Sequence, residues 1–228
     1  MVNPLLRPRW IAGHLLVVVA VVSFVLLGGW QWRRHHEKAD LRDEVSAAQA
    51  IGPVPIADVA AGGFARVIAV GEFDGALETK VLRSRSGVSG ETILTPLVLD
   101  DGTAVLVARG WVRAGVDHRL GGMPAPQRVA VEGLLWPAEE GSSVPEELGE
   151  FVRRIDPEIQ QAFAPYELRD EYLILTEQTP GIGTALQLPE VVEIPLGPHL
   201  GYAGQWVLFA AVVVAGYPLL LRRTLRRF

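Results

Sequence analysis

With 228 residues, 49% of them hydrophobic, and a formal net charge of −5, the chain is more apolar than an ordinary soluble domain and has no basic excess to hold nucleic acid. It contains no cysteine, which excludes a disulfide framework, thiolate catalysis and thiolate metal sites. Nineteen Arg stand against Lys38 and Lys80 alone, a coding bias that points to a bacterium rather than to any function.

The first element is an uncharged run of 23 residues from Trp10 to Trp32, long enough to cross a hydrocarbon core of about 30 Å. Arg7 and Arg9 precede it as they would precede a cleaved signal peptide, but no small-x-small cleavage site follows, so the run reads as a retained anchor. Trp10 marks its inner boundary, and Trp30 and Trp32 its outer one. The stretch RRHHEKADLRDEVSAAQA, without Pro or Gly, predicts that the helix continues to about Ala50, where IGPVPIADVAAGG ends it.

Strands follow. ARVIAVGEF alternates, and TILTPLVLDDGTAVLVARGWV is two apolar runs about a turn at Asp100, Asp101 and Gly102. QRVAVEGLLW and YELRDEYLILTEQ are two more strands. Between them lie an acidic loop, EEGSSVPEELGE, and a short helix, DPEIQQAFAP, that opens on an Asp cap and a Pro. A Pro- and Gly-rich stretch from Pro180 to Pro198 leads to the second uncharged run, 28 residues from Ile194 to Leu221, with Tyr202, Trp206 and Tyr217 as its boundary aromatics.

Orientation follows from flanking cations. Arg222, Arg223, Arg226 and Arg227 follow the second run and no cation precedes it from Gly181 through Leu200, so the C-terminus is cytoplasmic. The first run alone is ambiguous, because Arg33, Arg34, Lys38 and Arg42 outnumber Arg7 and Arg9, but two spans force both ends to one face. The expected organisation is a cytoplasmic N-terminus at 1–9, a transmembrane helix at 10–32 and an extracytoplasmic β-rich domain with a helical stem at 33–193. The linker end and second transmembrane helix occupy 194–221, and a basic cytoplasmic tail 222–228. The fold class is α+β: two transmembrane helices flanking an antiparallel, β-rich domain on the outer face of a bacterial plasma membrane.

No internal repeat, phosphate-binding glycine loop, nucleophile elbow or basic aromatic patch is present. The adjacent acids Glu139 and Glu140, and Glu146 and Glu147, read as solvated loop charges, so the chain is expected not to be an enzyme. Among five histidines, His199 lies at the outer end of the second span, His35 and His36 just beyond the outer end of the first, His118 in a turn-like segment, and His14 in the inner half of the first span. If α-helical, His199, Tyr202 and Trp206 share a face at i, i+3 and i+7, away from Gly201 and Gly204. An imidazole beside flat aromatics in a water-poor interface is what an axial haem ligand needs; equally, the aromatics can be the interfacial belt and His199 a satisfied helix end. His14 lies sixteen residues, roughly 24 Å of helix, from Trp30 and cannot share that site.

Four segments in order, GGWQWRRHHEK, TPLVLDDGTAVLVARGWV, VEGLL and HLGYAGQW, together with two terminal spans, resemble the Surfeit locus protein one family, the assembly factors of cytochrome c oxidase. Ala108 stands where the family has Asn, and Gln205 where it has Thr. The resemblance implies a non-enzymatic helper that receives haem a from its synthase and helps place it in subunit I of an aa3-type oxidase. It makes His199 the iron ligand; by helical spacing Tyr202 and Trp206 would flank the macrocycle, and by depth His35 and His36 are second-ligand candidates beside a partner protein, or else solvated stem residues. Trp30, Gln31 and Arg33 match the stem signature, and Arg109, Gly110 and Trp111 the outer-domain signature, where Arg109 and Trp111 are expected on one face of a strand and Trp111 in the core. Expected partners are the oxidase subunits, haem a synthase, a respiratory supercomplex and the lipid bilayer. The competing reading is a structural accessory that rides on the oxidase or supercomplex and never holds haem; a sensor or transporter accessory is a third, without a cytoplasmic signalling module to support it.

Overall fold

The computed structural model describes residues 8–116, 128–139, 141, 143–181, 186–188 and 193–226. The chain forms two compact units, Met1–Asp43 with Glu193–Phe228 and Glu44–Val192.

Helix α1 runs over Pro8–Ala50, 43 residues, through the charged stretch that lacks Pro and Gly, and stops before Gly52 and Pro53. Helix α3 covers His199–Leu225, 27 residues. Both are long and apolar enough to cross a membrane. In the first unit they run antiparallel: His199 meets Gln31, Trp206 and Phe209 meet Phe24, and Tyr217 meets His14. The inward positions of α3 are His199, Ala203, Trp206, Ala210, Val213 and Tyr217, alternating steps of four and three that make the seam of a left-handed helix pair. Gly28 lets the backbones approach there, since a Cβ on it would stand 3.4 Å from the Cβ of Trp206.

Among its described residues the second unit has eight strands and a short helix α2, Pro157–Gln161. The strands are β1 Val54–Pro55, β2 Ala65–Phe73, β3 Thr79–Arg85, β4 Val88–Leu99, β5 Ala104–Arg113, β6 Arg128–Trp136, β7 Phe151–Val152 and β8 Leu168–Thr179. They form one sheet ordered β1-β2-β6-β8-β5-β4-β3-β7, and an additional pairing of Gly71–Phe73 with Leu97–Leu99 closes β2, β6, β8, β5 and β4 into a barrel. Strand β4 makes this closure by being long: its first half pairs with β3 and its last residues with β2. Gly71 is required at the junction, where any Cβ would collide with the carbonyl oxygen of Val98. The interior is filled by Val67, Leu97, Val107, Val131, Leu135 and Leu173, all buried. A second cluster outside the barrel, including Val81, Leu94, Leu106 and Tyr172, also takes in Ile155 and Leu168, which bracket α2 in sequence. Asp156 caps that helix by accepting from the Glu158 amide at 3.2 Å, and buried Gln160 donates to buried Thr79 at 2.8 Å.

The anticipated hairpin is present: the Gly102 amide donates to the Leu99 carbonyl at 3.1 Å, and Gly102 takes φ +85°. The sheet as a whole is not antiparallel, as expected from the sequence, but mixed. Strands β5 and β8 pair in parallel, as do the two-residue strands β1 with β2 and β7 with β3. The chain between β5 and β8 contains β6, β7 and α2, ample for the crossover a parallel pair needs.

Candidate functional site

His199 opens α3 after Pro198, which supplies no side-chain cap. Its Nδ1 lies 2.8 Å from Oε1 of Gln31 on α1. An amide oxygen can only accept, so the imidazole donates from Nδ1 and, when neutral, keeps its lone pair on Nε2. The Nε2 edge borders Gly197, at 3.4 Å from where a Cβ on that residue would stand, and the Lys38 ammonium lies 3.8 Å from the same point. Gly197 takes φ +68°, a left-handed conformation that favours glycine. The result is a histidine with one ring nitrogen engaged by an oxygen acceptor and the other beside a residue with no side chain. Metal-binding histidine takes that arrangement, the second nitrogen fixing ring orientation for the first.

Two turns further along α3, Trp206 stacks on Phe24 at 5.6 Å between ring centroids, with Phe209 edge-on. Tyr202 is on the flank of the same face and is 47% exposed, while Gly201 and Gly204 face open space. Trp30 and Trp32 are 46% and 53% exposed, and Arg33 is exposed. His36 bonds through Nδ1 to the Trp32 carbonyl, one turn back at 2.9 Å. His35 is one turn beyond Gln31 on the inward stripe of α1, half-buried, and its Nδ1 is buried with no hydrogen-bond partner among the described residues. At the other end of the helix pair, His14 is bonded through Nδ1 to the Tyr217 hydroxyl and packs beside Trp10. Tyr217, read from sequence as a boundary aromatic, thus has a polar partner across the seam; the 3.5-residue spacing of inward positions on both helices is the signal that pairs them.

In the second unit, Arg109, Gly110 and Trp111 occupy the end of β5 at a β-bulge, where the register with β4 shifts between Ile93 and Leu94. Arg109 and Trp111 do not share a face, because the extra residue inverts the alternation. Trp111 pairs with Thr92 and follows the face of Leu94 and Ala108, whereas Arg109 turns to the barrel interior and lies over Phe73, 4.6 Å from its ring centroid. Trp111 is half-buried rather than a core residue; its Nε1 donates to the Arg83 carbonyl at 2.9 Å, over the space left by Gly90. Gly110, at φ +143°, lies under Leu186 and Gln187, and Trp111 exchanges two backbone hydrogen bonds with Gln187.

Arg109 is only 4% exposed. It donates to Glu78 at 3.2 Å, and the Thr95 hydroxyl donates to the same oxygen at 3.0 Å. Burial pushes the guanidinium pKa down, while the charge and hydrogen bond of Glu78 push it back up. No sequence pattern pairs Arg109 with Glu78, which follows a turn with nothing to mark it as buried. Arg109 is therefore a structural ion-pair residue of the barrel.

Glu139 bonds to Arg83 and accepts from the Ile155 amide. Glu140 and His118 lie outside the described residues. Among the described residues no three His, Cys, Asp or Glu side chains are grouped as a metal site.

The sequence model of the SURF1 family matches residues 18–211. Uncharacterized SURF1-like proteins of Mycobacterium bovis and of Mycobacterium tuberculosis are 28% identical over 233 residues, covering 93% of this chain and 83% of each relative.

Proposed function

Because the chain belongs to the SURF1 family, we propose that it is a non-catalytic assembly factor for an aa3-type cytochrome c oxidase, anchored in a bacterial plasma membrane, that holds haem a through His199 and hands it toward subunit I. The observation that carries this reading is the 2.8 Å bond from His199 to Gln31, which leaves Nε2 as the unprotonated nitrogen of a neutral ring. Such a nitrogen would serve as a ligand to haem iron. Tyr202 and Trp206, three and seven residues on along the same face of α3, flank the bound group in this reading, and His35, one turn beyond Gln31 on α1, is a candidate for a second ligand.

In this reading both termini are cytoplasmic and residues 33–193 lie outside; the two apolar helices and the cations Arg222, Arg223 and Arg226 at the end of α3 support it. Oxidase subunits and haem a synthase are the partners in this reading. A reporter active only outside the cytoplasm, fused after Phe228, is expected to be silent.

A second reading, a structural accessory of the oxidase or its supercomplex without haem, is favoured by one observation. The Trp206 ring is stacked on Phe24 and packed by Phe209, so it is used in joining the helices. The two readings separate on purification from membranes that make haem a, followed by an absorbance spectrum and pigment extraction. Haem a co-purifying with the chain supports the first; its absence supports the accessory.

A further inference from the structure

We infer that Gln31 is a positioning residue, one that holds His199 as its Nδ1–H tautomer and so keeps Nε2 available as a ligand for a haem-type iron. The inference rests on the haem-binding reading of His199 and assigns a role to a residue that the family signature leaves without one.

Three features of the structure support it. First, the contact joins two helices across 168 residues of sequence, so it is made only when α1 and α3 are packed, and it lies on the seam where Gly28 brings the backbones together. Secondly, Gln31 turns its amide oxygen, not its NH2, to the ring. Free imidazole populates both neutral tautomers, but a carbonyl oxygen at 2.8 Å admits only the one with a proton on Nδ1. The other histidine of the pair offers a contrast: the Tyr217 hydroxyl beside His14 can donate or accept, so it selects neither tautomer. Thirdly, the released nitrogen faces Gly197, where the left-handed φ of +68° excludes most side chains and keeps the Nε2 edge open. Lys38, whose ammonium borders the same space, has no carboxylate partner among the described residues and is placed to meet an anionic substituent of the bound group.

The test uses the full chain, purified from haem a-producing membranes, as wild type, His199→Ala, Gln31→Leu and Gln31→Glu. Gln31→Leu removes the acceptor and keeps side-chain volume in an apolar helix; Gln31→Glu keeps an acceptor. Gln31→Leu should reach the membrane at the wild-type level yet bind haem about 10–100-fold more weakly, the usual effect of losing such an outer contact. Gln31→Glu should bind haem and lower its midpoint potential, because a charged acceptor makes the imidazole a stronger donor to iron. Full haem content at an unchanged potential in Gln31→Leu overturns the inference.

The haem-free chain gives an independent readout through its histidine 15N shifts, with the His199 signals assigned by their loss in His199→Ala. The wild type should show the Nδ1–H form, and Gln31→Leu a shift toward the Nε2–H form or a mixture. If His199→Ala binds as much haem as wild type, the ligand reading of His199 fails, and the 15N comparison still decides the role of Gln31: an unchanged tautomer in Gln31→Leu overturns it.

Discussion

Replacing Arg109 by Met removes the guanidinium and keeps an unbranched stem over Phe73, so it tests the ion pair with little change in packing volume. The pair is buried, with side-chain exposures of 5% for Arg109 and 8% for Glu78. Taking away one partner strands the other charge in a site that water does not reach, which costs about 3–5 kcal/mol. At roughly 2–4 °C per kcal/mol for a domain of this size, the melting temperature should fall by about 6–20 °C. The measurement is the far-ultraviolet β signal of the full chain in detergent during heating and denaturant titration. Replacing Glu78 by Gln as well should recover most of the loss, since a pair removed together leaves no uncompensated charge. A single Arg109→Met variant within about 0.5 kcal/mol of wild type would refute the claim that Arg109 acts as a buried structural residue.

Gly71→Ala should destabilise the barrel by about 1–3 kcal/mol in the same titration, because its Cβ would meet the Val98 carbonyl at the β2–β4 closure. Trp111→Ala should cost about 2 kcal/mol, less than the roughly 3–5 kcal/mol of a fully buried aromatic, since one side of the ring is in solvent. Asp101 accepts from the hydroxyl and amide of Thr103, which hold its pKa below the ordinary 3.8. The folded chain therefore binds that proton less readily than the unfolded one, and the stabilisation is present above pH 3.8 and lost as pH falls through the lower folded value. In Asp101→Asn the decline in stability between about pH 5 and pH 2 should be shallower than in wild type.

The long elements were legible because their signals are local. The first helix continues to Ala50 because nothing between Arg33 and Ala50 breaks it, and Asp156 with Pro157 announces α2. The β4–β5 hairpin follows from two apolar runs about Asp101 and Gly102. Strand β3 was missed because its buried residues, Thr79 and Val81, alternate with Lys80 and sit beside exposed Leu82, Ser84 and Arg85. The one local cue was Ser86-Gly87, both at positive φ in a two-residue turn. Closure of the barrel and the parallel β5–β8 pair depend on residues far apart in sequence, which period-two patterns do not report. The bulge at Arg109 was invisible for the same reason: alternation counted along one strand assumes an unbroken register. At the candidate site, His199 and the neighbouring aromatics stood out by type and position. Gln31 was marked by resemblance alone, and its contact with His199 exists only through the packing of two helices from opposite ends of the chain.

The central claim, that His199 holds haem a, is tested most directly by haem content in matched preparations of wild type, His199→Ala and His14→Ala from the same haem a-producing membranes. The account predicts that His199→Ala reaches the membrane normally but loses its haem and lowers the yield of mature oxidase, and that His14→Ala, at the far end of the helix pair beside Tyr217, does neither. Equal haem in wild type and His199→Ala would contradict it and leave His199 as a histidine that caps the packing of α3 on α1.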